Sequence, residues 1–170
     1  MDEDEMNCLL TKNPIVNKHY SGEIYSTDTL PMKLVKGKFY ISNIYSSTHD
    51  YDKQTGHWIC FLYYESGILY YFDAFGTFPN LEFWMTLLET KSKDVEYNDI
   101  QLQNSKTSTC AMHVILWASL FSFGLKPKSI LKYAYNIKGQ NSVNNFDYDL
   151  LAQKWLKEFY GEKRGIFYNF

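Results

Sequence analysis

The sequence predicts an α+β protein in which a central antiparallel sheet packs on one buried helix. Two apolar segments, 57–64 and 68–75, flank the turn sequence Glu-Ser-Gly and are typical of a β-hairpin. Residues 111–123 are almost continuously apolar and end before Gly124, as a buried helix does. Residues 147–160 have the spacing of an amphipathic helix. Further helices around a sheet and one core helix define the expected layers.

Composition indicates one folded domain. A chain of 170 residues can bury a single core, and its 45% hydrophobic and 18% aromatic content excludes a disordered protein. The net charge of −2 gives no electrostatic basis for nucleic acid as the main partner. We expect residues 1–170 to form one domain, with an N-terminal arm or helix over 1–20 and a helical C-terminal segment over 126–170.

Cysteine usage favours a reducing compartment. The three cysteines, Cys8, Cys60 and Cys110, are odd in number and their spacing fits no zinc pattern, so we expect free thiols and no metal site. The start Met-Asp-Glu-Asp-Glu is acidic where a signal peptide is basic. The longest apolar stretch, 111–123, is shorter than a membrane span. We therefore expect a protein that is not secreted and has no membrane segment.

The elements before the hairpin follow from local signals. Residues 1–12 run from acidic to apolar and predict a short helix or an ordered arm. Residues 13–33 contain proline and glycine among polar residues, which predicts a loop with one short strand or helix. Residues 37–45 predict the first strand, and residues 46–56 a polar loop.

After the hairpin, a turn over 76–80 leads into helical spacing over 81–91. Residues 100–103 alternate apolar and polar, which predicts a short strand ending at Gln103. The remaining expected elements are a short helix over 129–135, a loop over 139–145, and a terminal strand or arm over 166–170.

The hairpin predicts a contact between a histidine and an acid. With three loop residues, Ile59 lies opposite Asp73 and His57 becomes a diagonal neighbour of Asp73. Asp73 is the only charged residue within 68–75, and an acid inside a strand needs a polar partner. We therefore expect His57 and Asp73 to project from one face of the sheet, near one end.

A polar run separates Gln103 from Cys110 and places this cysteine at the start of the buried helix. Ser108 and Thr109 are both candidates for the N-cap residue. Unpaired N–H groups and the positive end of the helix dipole favour a thiolate at such a position. Cys110 is therefore predicted to be reactive.

These residues supply the parts of a thiol nucleophile's site. A catalytic cysteine needs a base, an orienting group for the base, and donors aimed at the developing oxyanion. His57, Asp73 and the Gln103 amide are candidates for these roles around Cys110. Each alone also fits a structural role, as a polar-network residue or a small hydrophobe. Their order and spacing together favour catalysis.

The same residues carry a resemblance to a known family. The motifs are Gly-His-Trp at 56–58, Phe-Asp-Ala-Phe-Gly at 72–76, and Gln103 followed seven positions later by Cys110. Over about residues 20–125 the sequence resembles the adenovirus maturation protease (adenain) family. It is similar, more distantly, to the SUMO-specific cysteine proteases of the same clan.

The resemblance implies a papain-like arrangement and a role for each residue. Cys110 would be the nucleophile, His57 its general base, and Asp73 the residue that orients the histidine. Gln103 would build the oxyanion hole, and Trp58 would line the substrate site beside the histidine.

The resemblance further implies a cysteine endopeptidase that cleaves viral capsid or core precursor proteins during particle maturation, with a preference for glycine or another small residue before the scissile bond. Frequent Asn, Lys and Tyr indicate an AT-rich genome, which suits a virus or a virophage- or Polinton-like element. Such a protein is expected in the virion, or in the cytoplasm or nucleus of the host cell.

Two alternatives to the maturation protease are a protease of ubiquitin-like modifiers and a catalytically silent scaffold of the same fold.

Several positions depart from the family or stand outside its motifs. Ala111 occupies the position where the family has glycine after the cysteine. No cofactor is expected, although the family implies an activating peptide or DNA. We interpret Cys8 and Cys60 as structural and His113 as a packing residue, because two possible ligands do not make a metal site. A modest basic cluster, expected to be a solvated face, comprises Lys126, Lys128 and Lys132.

Overall fold

A computed structural model describes residues 1–48, 56–137 and 147–161 of the chain. The loop expected over 139–145 and the terminal segment 166–170 lie outside these residues, as does most of the loop 46–56. Five strands are present in the described part: β1 (Tyr20–Tyr25), β2 (Phe39–Asn43), β3 (Trp58–Tyr63), β4 (Ile68–Asp73) and β5 (Asp94–Tyr97).

The strands form one mixed sheet in the order β1-β2-β3-β4-β5. Strands β2, β3 and β4 pair antiparallel, whereas β1 is parallel to β2 and β5 is parallel to β4. The predicted antiparallel sheet is therefore correct at the centre and wrong at both edges. The residues of a short turn identify a hairpin in the sequence. Parallel strands are joined by a long crossover connection, which has no comparable sequence signal.

The helices mostly follow the sequence pattern. They are α1 (Glu3–Lys12), α2 (Pro14–His19), α3 (Trp84–Thr90), α4 (Cys110–Ser122), α5 (Pro127–Ala134) and α6 (Tyr148–Tyr160), with a 3-10 turn at Leu81–Phe83. The carboxylate of Asp2 caps α1 and Glu5 completes the capping box. Residues 13–33, expected to hold one short element, contain both α2 and β1.

The expected strand ending at Gln103 is wrong, because β5 ends at Tyr97. The backbone N–H groups of Leu102 and Gln103 both donate to the carbonyl oxygen of Ala74, at 2.8 and 2.9 Å. This segment crosses the end of β4 instead of running beside it. The alternating pattern reflects a buried Leu102 and an exposed Gln101, not a strand.

Helices cover both faces of the sheet, because its strands alternate apolar side chains between two cores. On one face, α4 packs with residues that include Phe39, Ile41, Cys60, Leu62 and Phe72. On the other, the region around α3 contributes Phe83 and Leu87 to a second core with residues that include Tyr40, Ile59, Phe61 and Tyr71.

Helix α4 is the central element of the larger core, since all of its residues are buried. The ring of Trp117 stacks on those of Phe72 and Tyr70, with centroids 4.3 and 5.5 Å apart. Gly124 follows with a φ of 85°, a left-handed conformation that favours glycine. Among the described residues, no single helix is long and apolar enough to cross a membrane; α4 and α5 meet that test only as a pair bent by 118°.

Candidate active site

The four residues predicted from the sequence meet in one cleft. It lies at the end of the sheet where β3 begins and β4 ends, and it has a volume of about 560 Å³. His57, Asp73, Gln103 and Cys110 all line it. They come from the start of β3, the end of β4, the loop before α4, and the first residue of α4.

His57 and Asp73 form the contact that the hairpin register predicts. Ile59 is paired with Asp73, as expected from the loop length. The His57 Nε2 atom lies 2.6 Å from Oδ1 of Asp73. The imidazole also stacks on Phe75, with ring centroids 4.8 Å apart and an interplanar angle of 25°. The ring is therefore fixed on one edge and on one face.

Asp73 is held by donors that the sequence analysis missed. Its carboxylate accepts hydrogen bonds from the Phe75 N–H, at 2.8 Å, and from the Thr77 hydroxyl. The Asn98 carboxamide binds the backbone of Asp73, accepting from its N–H at 2.9 Å and donating to its carbonyl at 2.6 Å. A threonine four residues after the acid is a local signal for the first contact, whereas Asn98 comes from beyond β5 and carries no such signal.

The turn after β4 requires a glycine. Gly76 has a φ of 71°, and a Cβ atom there would lie 2.8 Å from the carbonyl carbon of Ile100. Both the conformation and the close approach exclude larger residues. This contact lets the segment that carries Gln103 cross directly over the end of β4.

Cys110 faces both the histidine and backbone donors. Interactions with His57 and with the backbone N–H groups of Trp58 and Ala111 lower the pKa of its thiol. Because Nε2 of His57 binds Asp73, the other ring nitrogen, Nδ1, is the one left for the thiol. Asp73, His57 and Cys110 thus form a continuous chain of polar contacts.

The electrostatics of this chain favour an ion pair. Burial disfavours both charged forms, but hydrogen bonds outweigh it. Contacts with Asp73 and Cys110 raise the pKa of His57 to about 9. Contacts with His57, Trp58 and Ala111 hold the pKa of the Cys110 thiol below its ordinary value. Both shifts therefore favour a thiolate beside an imidazolium in the cleft.

The start of α4 differs from the expected cap. Thr109 occupies the N-cap position, but its side chain makes no capping bond. Its hydroxyl donates instead to Asp149, at 2.6 Å. The expected side-chain cap is wrong at Thr109 because a buried carboxylate from α6 competes for the hydroxyl. The Ala111 N–H in the first turn consequently faces the thiol.

Gln103 is positioned as an amide donor at the cleft. Its side chain is buried, and Nε2 donates to the carbonyl oxygen of Thr107 at 2.7 Å. A carboxamide has two N–H bonds, so one remains for a ligand in the cleft. The Thr107 carbonyl is only an acceptor, which fixes which side of the amide carries the nitrogen.

Within the described residues, Trp58 is not part of the lining of this cleft, and its expected place beside the substrate stays a prediction. The indole of Trp58 is partly buried and packs against the larger core, and the backbone N–H of Trp58 interacts with Cys110. Part of the cleft wall on the histidine side is formed instead by Ile44, Tyr45 and Phe75.

The other cysteines and His113 lie apart from this chemistry. Cys60 is fully buried in the core, as expected. Cys8 is exposed, contrary to its structural interpretation, because α1 turns Met6, Leu9 and Leu10 inward instead. His113 is fully buried within α4.

No group of three or more potential metal ligands occurs within residues 1–48, 56–137 and 147–161. The three lysines of the basic cluster, Lys126, Lys128 and Lys132, are exposed.

The sequence matches no known protein-family model and no curated protein at a significant level.

Proposed function

We propose that the protein is a cysteine peptidase. The observation that carries this proposal is the chain of contacts from Asp73 through His57 to Cys110, which ends at a thiol of lowered pKa in an open cleft. A buried ion pair of this kind is costly to maintain, and it is the arrangement that an activated thiol requires.

In the proposed reaction, the Cys110 thiolate attacks the carbonyl carbon of a peptide bond. Negative charge develops on the carbonyl oxygen, which accepts hydrogen bonds from the second N–H of Gln103 and from the backbone at the start of α4. The His57 imidazolium protonates the departing amine as the C–N bond breaks. Water, deprotonated by His57, then hydrolyses the thioester and restores the thiol. Asp73 orients the imidazole throughout.

For the substrate, we propose viral capsid or core precursor proteins, on the resemblance of the motifs to the adenain family. Ala111, the departure from that family, bears on this proposal. Its side chain is 2% exposed and packs in the core. Because the methyl group points away from the cleft, it leaves room for a substrate backbone at Cys110.

The test is cleavage of a peptide panel with Gly-Gly and Gly-X junctions by the wild type, Cys110→Ala and His57→Ala. Cleavage by the wild type alone is the expected result. Cys60, which is buried and does not line the cleft, supplies a matched control, since Cys60→Ala removes a thiol from outside the site. Absence of cleavage, with Cys110 no more reactive than Cys8 toward an alkylating reagent, would contradict the proposal and favour a scaffold. A selectively reactive Cys110 without cleavage would indicate that an activating peptide or DNA is required.

A second candidate is a peptidase of ubiquitin-like modifiers, favoured by an exposed apolar stripe beside the cleft. The stripe consists of Phe78, Leu81, Trp84, Met85 and Leu88, of which Leu81 is 82% exposed. Phe78 lies between Thr77 and Asn80, which both line the cleft. An apolar surface of this kind suits a folded protein partner. Leu81→Ser with Leu88→Ser should then slow cleavage of a modifier fusion and leave peptide cleavage unchanged.

A further inference from the structure

A buried carboxylate on α6 reaches into the loop that precedes Cys110. Asp149 is 8% exposed and accepts four hydrogen bonds. The donors are Nε2 of His113 at 2.8 Å, the Thr109 hydroxyl at 2.6 Å, the Thr107 hydroxyl at 2.9 Å and the Asn104 N–H at 3.3 Å. Three of these four donors belong to the single loop 103–109.

The same loop carries the amide of Gln103. Its beginning is anchored by the Gln103 N–H, which donates to the carbonyl of Ala74. Within the loop, the Gln103 side chain donates to the carbonyl of Thr107, the residue whose hydroxyl binds Asp149. The orientation of the amide therefore depends on Thr107, and the position of Thr107 depends on Asp149.

His113 fixes the carboxylate from the other side. Its Nδ1 atom lies 2.9 Å from the hydroxyl of Tyr135, and the two rings stack with centroids 5.7 Å apart. Burial opposes the charged form of Asp149, but hydrogen bonds from His113, Thr109 and Thr107 hold its pKa below the usual value. The anchor is a charged acceptor held rigidly between α4 and α6.

We propose that Asp149 is a positioning residue, which holds the 103–109 loop so that the second N–H of Gln103 faces the oxyanion. This inference rests on the proposed function. Asp149 acts through Thr107 and Gln103 and does not contact Cys110 or His57 in any bond described above. Its loss should therefore affect a step that develops an oxyanion and spare one that needs only the thiolate.

Asp149→Asn is the informative substitution. The carboxylate accepts on both oxygens, so an amide must place its NH₂ group against two of the present donors. The loop must then shift while the side-chain volume stays the same. Asp147→Asn is the matched control, because Asp147 caps the same helix and makes no described contact with the loop. Asparagine caps helices as well as aspartate does.

Two reagents distinguish formation of the thiolate from stabilisation of the oxyanion. Both are used on protein that carries Cys8→Ser, which removes the exposed thiol. Iodoacetamide alkylates the thiolate without forming an oxyanion. p-Nitrophenyl acetate requires one: the Cys110 sulfur bonds to the acyl carbon, and p-nitrophenolate leaves with the electron pair of the broken C–O bond. We expect Asp149→Asn to slow this acylation about ten-fold, less than the ~100-fold expected for Gln103→Ala. The alkylation rate and its pH profile should remain those of the wild type.

The two substitutions should also be non-additive, since they act on one amide: Asp149→Asn should have little further effect in a Gln103→Ala background. Thr107→Val, on an exposed loop, repeats the test without a buried substitution and should slow acylation in the same selective way. Equal losses in alkylation and acylation, additive effects, or no loss in either variant would overturn this inference and leave the peptidase standing. If the wild type shows no acylation that depends on Cys110, the proposed function fails, and this inference fails with it.

Discussion

The described residues contain two His–Asp pairs, and the difference between them supports the proposed function. His57 and Asp73 are 2.6 Å apart, and His113 and Asp149 are 2.8 Å apart. The contacts are nearly equal, but the second nitrogen of each ring faces a different group. In His57 it faces the Cys110 thiol, whereas in His113 it faces the Tyr135 hydroxyl. A His–Asp contact alone therefore does not favour catalysis, and the proposal depends on the thiol beside the second nitrogen of His57.

The pairs also differ in exposure. The side chain of His57 is 13% exposed at the cleft, and that of His113 is fully buried. A partly exposed ring can exchange protons with a substrate, while a buried ring can only hold elements together. We expect substitutions at the first pair to affect rates and substitutions at the second to affect stability.

The largest effect is expected for His57→Ala. Without the imidazole, the thiol loses its base and the leaving amine its proton donor, so kcat/KM should fall by about 1,000-fold or more. The free energy of unfolding should change by only about 1 kcal/mol, because Phe75 and Thr77 still satisfy Asp73. Peptide cleavage kinetics and urea denaturation measure the two quantities. The proposed difference is that the first pair serves activity and the second serves stability. A loss of stability as large as the one expected below for His113→Ala would contradict it.

Asp73→Asn should have the next largest effect. The amide keeps the shape of the carboxylate but no longer stabilises the imidazolium, so kcat should fall by about 100-fold or more with little change in KM. The pKa of His57 should fall at the same time, which NMR of the imidazole protons can follow. Asp28→Asn is a suitable control, since Asp28 accepts hydrogen bonds from Ser47 and neither residue lines the cleft. An unchanged histidine pKa would contradict the assigned contact.

For the second pair, His113→Ala should lower stability while sparing the thiol. The substitution opens a cavity in α4 and removes the His113 contacts with Asp149 and Tyr135, both of which are buried, which should cost about 2–4 kcal/mol in the free energy of unfolding. Where the variant remains folded, the pH profile of Cys110 alkylation should match the wild type. Thermal or urea denaturation, with Ser122→Ala as a control in the same helix, measures the loss. A shifted thiol pKa would mean that the two pairs are coupled.

The smallest effect is a shift of pH dependence. Alkylation of Cys110 should decline only as pH falls below the lowered pKa of its thiol, because the thiolate persists above it. Peptide cleavage should decline on that side too, and also as pH rises through about 9, where His57 loses the proton it must donate. In His57→Ala, the midpoint of alkylation should move up toward the ordinary thiol pKa. Rates of alkylation and of peptide cleavage, measured from about pH 5 to 10, test this prediction. An unchanged alkylation midpoint in His57→Ala would contradict the proposed ion pair.

The sequence predicted the first pair and missed the second for a physical reason. His57 and Asp73 lie on one hairpin, so a local turn sets their register, and the apolar run after Cys110 sets its place at a helix start. Asp149 and His113 meet only when α6 packs on α4, and no short-range pattern encodes that contact. The parallel pairing of β1 with β2 and of β5 with β4 was not predicted for the same reason, because no short-range pattern encodes it.

Trp58 and Thr109 show a different limit. The resemblance placed Trp58 beside the substrate, whereas the structure shows its indole packed against the larger core. Thr109 has the right identity for a cap, but Asp149 supplies a stronger, charged acceptor for its hydroxyl. Local preference predicts an element's bounds well, and tertiary packing decides what the side chains at its ends bind.

The burial of α4 links the reactivity proposed for Cys110 to the integrity of the core. Every residue from Cys110 to Ser122 is buried, so the thiol keeps its place only while the core around the helix is intact. In a Cys8→Ser background, we expect the fraction of thiols that reacts rapidly with a small electrophile to report the fraction of molecules whose core around α4 is intact. A sample that loses this rapid fraction on storage has lost its core packing, even if it remains clear in solution.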